Sequence, residues 1–177
     1  MHTLKIGLPI VVIAAAVGAY FALRPAPIVE CVSQRLPVEV RGTSLLPLHD
    51  PGTQLTLEVG YYTCRRPQHD ELAIHRFKDI EIVKIIKAVP GDRLSIEPCA
   101  NARCIAVNDA LAHTSTGDPY YVTPQEERLL SMYVKDYIGV VPAKAVLLLS
   151  NRSAGTIDSR SFGLVSTNDL VGRARDK

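Results

Sequence analysis

The sequence predicts a mainly β protein: a folded antiparallel sheet or partly open β-barrel, preceded by one transmembrane helix. Three observations predict it. Short segments of apolar alternation, bounded by Pro, Gly and Asn-Asp turns, recur from Pro37 to Leu149. Only the stretch after Thr123 carries a clear helix-start signal. Ile6 to Leu23 is an uncharged apolar run of 18 residues, enough to cover most of a ~30 Å hydrocarbon core at about 1.5 Å per residue.

The elements follow in chain order. The apolar run makes 1–24 an anchor, and Pro9 near its first turn is tolerable there. Its Ala-x-Ala, Ala14 to Ala16, lies inside the run rather than after it, which favours an uncleaved anchor over a removed signal peptide. Arg24-Pro25-Ala26-Pro27 opens a stiff linker, 25–35, and a domain of 36–177 follows. Pro37 to Arg41 alternates Val38 and Val40 and reads as a strand; Pro47 to Gly52 reads as a turn. Gln54 to Tyr62, Leu72 to Phe77 and Asp79 to Val89 read as strands, with a polar loop from Arg65 to Glu71. Arg93 to Glu97 and Ile105 to Val107 flank a cysteine loop, and Asn108-Asp109 is a turn. Thr123-Pro124-Gln125-Glu126 has the order N-cap, first-turn Pro, capping Glu, so a helix runs to about Val134 with Leu129, Leu130 and Tyr133 inward. Ala145 to Leu149 is continuously apolar and reads as a buried strand.

Charge is nearly balanced, 20 Lys+Arg against 18 Asp+Glu, with no basic tract, so nucleic acid is excluded as a partner. Lys5 before the apolar run and Arg24 after it leave orientation undecided by charge. Cys31, Cys64, Cys99 and Cys104 are even in number, which suits an oxidising compartment, and allow three pairings. The hairpin-length gap favours Cys99 with Cys104, leaving Cys31 and Cys64 as the residual pair. Without a Cys-x-x-Cys and with scattered His, no metal or cofactor is expected.

The chemistry centres on Lys84. In a strand it shares a face with Ile80, Ile82, Ile86 and Ala88, while Asp79, Glu81, Val83, Ile85 and Lys87 form the more polar opposite face. A buried ammonium is costly, so such a lysine loses its proton readily. A neutral amine beside a serine can take the hydroxyl proton and create a nucleophile. Ser44, in Gly42-Thr43-Ser44, is the candidate, which makes a Ser-Lys hydrolase the leading chemistry. A His-based triad is the rival: Asp50 and Asp70 adjoin His49 and His69, but no Gly-x-Ser-x-Gly elbow is present.

Four segments in order resemble the type I signal peptidase family of membrane-bound Ser-Lys proteases. They are Gly42-Thr43-Ser44-Leu45-Leu46-Pro47; Lys84 leading into Pro90-Gly91-Asp92; Asn151-Arg152 followed by Asp158-Ser159-Arg160-Ser161-Phe162-Gly163; and Val171-Gly172-Arg173-Ala174. The resemblance spans about 36–174. Leu45 stands for the family's usual Met, Ile85 for its Arg and Leu149-Ser150 for its Gly-Asp, so the chain resembles a divergent member, such as the plasmid-transfer type that matures pilin-like substrates.

The resemblance implies a small β insertion, here about 98–140, between the lysine box and the last box. It implies Ser44 as nucleophile, Lys84 as general base, Thr156 as the hydroxyl orienting the lysine, and Asp158 with Arg160 as a structural ion pair. It implies a single-pass protein of the inner membrane with its catalytic domain on the periplasmic side. Its partners would be the lipid bilayer and exported precursors with Ala-x-Ala-like cleavage sites. The altered Leu149-Ser150 motivates an alternative of another class, a catalytically weak anchored β domain assisting secretion or pilus assembly.

Overall fold

The computed structural model describes residues 30–176, and Cys31–Lys177 form one compact unit. Eleven strands and two α-helices build it. In chain order they are β1 (Gln34–Glu39), β2 (Gln54–Val59), β3 (Leu72–Phe77), β4 (Ile80–Ala88), β5 (Leu94–Cys99), β6 (Ala102–Val107), β7 (Ala110–Leu111), β8 (Tyr121–Val122), α1 (Pro124–Asp136), β9 (Ala145–Leu149), α2 (Ser159–Phe162), β10 (Val165–Ser166) and β11 (Leu170–Asp176).

Seven strands form an open sheet in the order β1-β2-β11-β3-β4-β9-β10, with every pairing antiparallel, so the barrel is not closed. Pro37 cannot donate to a ladder and sits in β1, at the sheet's edge. The sequence pattern does not predict β11 as a strand, yet it lies at the sheet's centre between β2 and β3. Gly172 is required there: a Cβ would stand 2.1 Å from the Glu58 carbonyl oxygen. Arg173 binds Glu58 at 2.8 Å and Glu71 at 3.2 Å, so the Val171-Gly172-Arg173-Ala174 segment is a sheet-joining device.

The second sheet, β5-β6-β7 with β8 against β6, together with α1 lies in the chain as an insertion between β4 and β9. Hydrogen bonds from Leu94 to Gly139 and from Val141 to Asp92 close its neck. Thr123 and Glu126 form the predicted capping box of α1, which runs on to Asp136. Leu130 of α1 packs with Ala88, Leu94, Ile105, Leu147 and Leu149, joining the two sheets in one core. Both disulfides form, Cys31–Cys64 and Cys99–Cys104.

The expected facing of β4 needs correction. Ile80 is 60% exposed, whereas Lys84, Ile86 and Ala88 are buried. The face expected to meet solvent is not free either: Ile85 packs with Leu45, Leu72 and Ile74, and Val83 against them. The folded sheet covers β4 on both sides at its middle, so alternation does not separate core from solvent there. No helix among the described residues is long and apolar enough to cross a membrane, and the predicted anchor, with the first part of its linker (25–29), lies outside them.

Candidate active site

Ser44 stands in the turn that follows β1, where Gly42 takes φ +74°, a backbone conformation that Gly adopts without steric cost. Two anchors hold this turn. Leu45 is fully buried in the sheet's core. The backbone N–H of Asn151, just past β9, donates to the Ser44 carbonyl at 2.7 Å. The Asn151 side chain donates to the Leu46 carbonyl at 3.2 Å and to Ser115 Oγ at 2.6 Å, and accepts from the Ser115 N–H at 2.8 Å. Asn151 therefore ties the serine turn to the insertion. Ser115 carries no sequence signal, because its part in the site comes wholly from this long-range pairing.

Lys84 reaches the turn from β4. Its Nζ lies 3.1 Å from Ser44 Oγ, and the residue is only 5% exposed. Burial pushes the amine below the ordinary lysine value; the Asp158 carboxylate pulls it back up and the Arg160 guanidinium pushes it down again. Behind it lies the Asp158–Arg160 pair, both fully buried and 2.8 Å apart. Asp158 also accepts from the backbone N–H groups of Ser150 and Arg160. Burial works against its ionised form, but the Arg160 guanidinium and these N–H groups outweigh that and hold the carboxyl below the usual range. Arg160 donates in addition to the carbonyls of Tyr121, Arg152 and Ser153, so every face of the guanidinium is used.

Thr156 stands with this pair rather than with the lysine: its hydroxyl donates to Asp158 Oδ2 and accepts from Arg160 Nη2, each at 3.0 Å. The structure brings Ser44 and Lys84 together, and Thr156, Asp158 and Arg160 together behind them. His49, His69 and His75 make their polar contacts with other residues. His69 is bonded to Asp92, His49 pairs with Asp176, and His75 meets the Asp169 carbonyl and the rings of Phe77 and Phe162. Asp92 also explains the Pro90-Gly91-Asp92 segment. Its carboxylate accepts from the Val89 N–H and from Asn108, closing the turn that ends β4.

Ser44 and Lys84 lie on the wall of a groove of about 800 Å³ between residues 37–42 and 80–84. β9 pairs with β4 only from Ile85 onward, so Ile80 to Lys84 form an open strand edge along this groove. A larger cleft, about 1240 Å³, lies between Arg65, Gln68, Pro90 and Tyr137 and contains neither residue; the amine and the hydroxyl meet in the smaller groove.

Comparison with known proteins agrees with this geometry. The chain matches the family described as signal peptidase, peptidase S26, over residues 4–176. It is 26% identical over 144 residues to signal peptidase I of Bacillus caldolyticus, covering 76% of this chain and 74% of that protein. The chain belongs to the signal peptidase family, peptidase S26, and is a serine peptidase.

Proposed function

We propose that this protein is a membrane-anchored serine endopeptidase in which Ser44 and Lys84 form a dyad that cleaves signal peptides from exported precursors. The observation that carries the reading is the 3.1 Å approach of a buried lysine amine to the Ser44 hydroxyl. Neutral Lys84 takes the Ser44 proton, and Oγ attacks the scissile carbonyl carbon. The Ser44 backbone N–H makes no backbone hydrogen bond among the described residues and is the donor for the developing oxyanion. Gly42 has no side chain to assist it. Collapse breaks the C–N bond, and Lys84 returns its proton to the leaving amine. Water then attacks the acyl-enzyme with Lys84 again as base, and the freed Ser44 is reprotonated.

The open edge of β4 suits an extended peptide, which would add to it as a strand with alternate side chains entering the groove. Small residues of the Ala-x-Ala kind fit this mode. The apolar run of 1–24 would hold the domain of 36–177 against the periplasmic face of the inner membrane, where both disulfides persist. Cleavage of a precursor by the purified full-length protein tests the reading. Ser44→Ala and Lys84→Met should each abolish it with the fold intact, and retained cleavage in both would overturn the dyad.

A further inference from the structure

We infer that Ser150 is a positioning residue for Lys84: its buried hydroxyl accepts a hydrogen bond from the lysine amine and so aims the amine's lone pair at Ser44. The inference rests on the dyad reading and adds a residue to it.

Ser150 is completely buried, and its Oγ is one of two buried side-chain polar atoms among the described residues that have no hydrogen-bond partner. Such a hydroxyl is costly unless something uses it. The Lys84 amine has the complementary deficit. It carries three donors when charged and two when neutral, yet among the described residues it makes one hydrogen bond, to Ser44 Oγ.

The register relates the two. Ile86 pairs with Leu148 and Ile85 with Leu149, so the next step sets Ser150 opposite Lys84, one residue past the end of β9. Directly opposed residues in an antiparallel pair share a face, with Cβ atoms roughly 4.5–5.5 Å apart, well within the reach of a lysine. Ser150 is pinned there from both sides. Its own N–H donates to Asp158 at 3.0 Å, and the next N–H, of Asn151, donates to the Ser44 carbonyl at 2.7 Å.

Thr156 makes no hydrogen bond to Lys84 among the described residues; its hydroxyl donates to Asp158 and accepts from Arg160. A change in the lysine's terminal torsions would let Ser150 take an N–H while Ser44 keeps its place. The amine is then held by one hydroxyl and directed at the other.

The test is Ser150→Ala in the full-length protein, assayed on a synthetic precursor peptide. The substitution removes one buried oxygen that no backbone or core group depends on, so the melting temperature should change little. The inference expects kcat to drop about 10- to 100-fold, the scale of a hydrogen bond to a charged group, with KM little changed. It also expects the acidic limb of the pH–rate profile to move to lower pH, because an acceptor that favours the ammonium form has gone. A purely structural hydroxyl would leave that limb where it is. Wild-type kcat and an unmoved limb overturn the inference, as does a fall in melting temperature with an unmoved limb. Ser44→Ala and Lys84→Met are assayed beside it. If they are inactive while Ser150→Ala is normal, only the role of Ser150 fails; if they remain active, the dyad itself has failed.

Discussion

The backbone N–H of Asn151 and the carbonyl of Ser44 are joined by a 2.7 Å hydrogen bond across 107 positions of chain, and the Asn151 side chain carries the same junction on to Leu46 and Ser115. One residue thus aligns the serine turn, the end of β9 and the insertion. Asn151→Ala should cost about 1–3 kcal/mol, since it removes the part-buried hydrogen bonds to Leu46 and Ser115. Because the serine turn loosens, kcat should fall more than KM rises. Thermal denaturation with steady-state kinetics checks both, and unchanged values would contradict the bracing role.

Lys84→Arg and Lys84→Met should both be inactive, the first because a guanidinium stays protonated and the second because no amine remains. Lys84→Met should be at least as stable as the wild type. The sign follows from the lowered value of Lys84 in the folded state. The unfolded chain binds the proton more readily, so wild-type stability rises as pH climbs from the folded value toward the unfolded ~10.4. The advantage of Met should therefore be largest below the folded value and shrink above it. Lys87→Met is the control. It loses an ion pair to Asp70, worth about 0–1 kcal/mol near the surface, and should stay active. Loss of activity there with normal Lys84→Met would reverse the assignment.

Cleavage by the wild type should rise with pH through the depressed value of Lys84, below the ordinary lysine range, because only the neutral amine accepts the serine proton. A kcat/KM profile flat across that range would argue against lysine as the base.

Asp158→Asn should destabilise by about 3–5 kcal/mol, since it strands a fully buried guanidinium. The carboxyl is held below its usual value, so its contribution is present above the unfolded value of about 3.9 and is lost as pH falls through the folded one. Melting temperatures of both proteins should converge in strong acid. A constant difference at every pH would show that the charge is not the cause.

Removing Cys31–Cys64, which closes a separation of 33 residues, should cost about 3–4 kcal/mol, and removing Cys99–Cys104, with a separation of 5, about 2, on a chain-entropy estimate. Denaturant titration of the paired Ser variants tests the order. Thiol labelling of intact cells should find all four cysteines blocked until reductant is added.

Much of the site was legible in the sequence because it depends on local chemistry. A lysine set among isoleucines, a serine after a flexible glycine and a Pro-Gly-Asp turn are each written within a few residues. So are the capping box of α1, the bounds of β3 and β9, and the short Cys99–Cys104 loop. What tertiary structure alone decided involves partners far apart in the chain. β11 carries small residues, Gly172 and Ala174, which show no strong alternation. It is a central strand through its long-range pairing with β2 and β3, where the Glu58 backbone approaches too closely for any side chain at Gly172. The polar-looking face of β4 is buried because the sheet folds over Ile85, a fact periodicity cannot express. Thr156 has the composition of a lysine-orienting residue, but the Asp158–Arg160 pair claims its hydroxyl. Ser150 has no local distinction at all. Its interest arises from a strand register that sets an unpartnered hydroxyl opposite an under-bonded amine, and register is a property of the folded sheet.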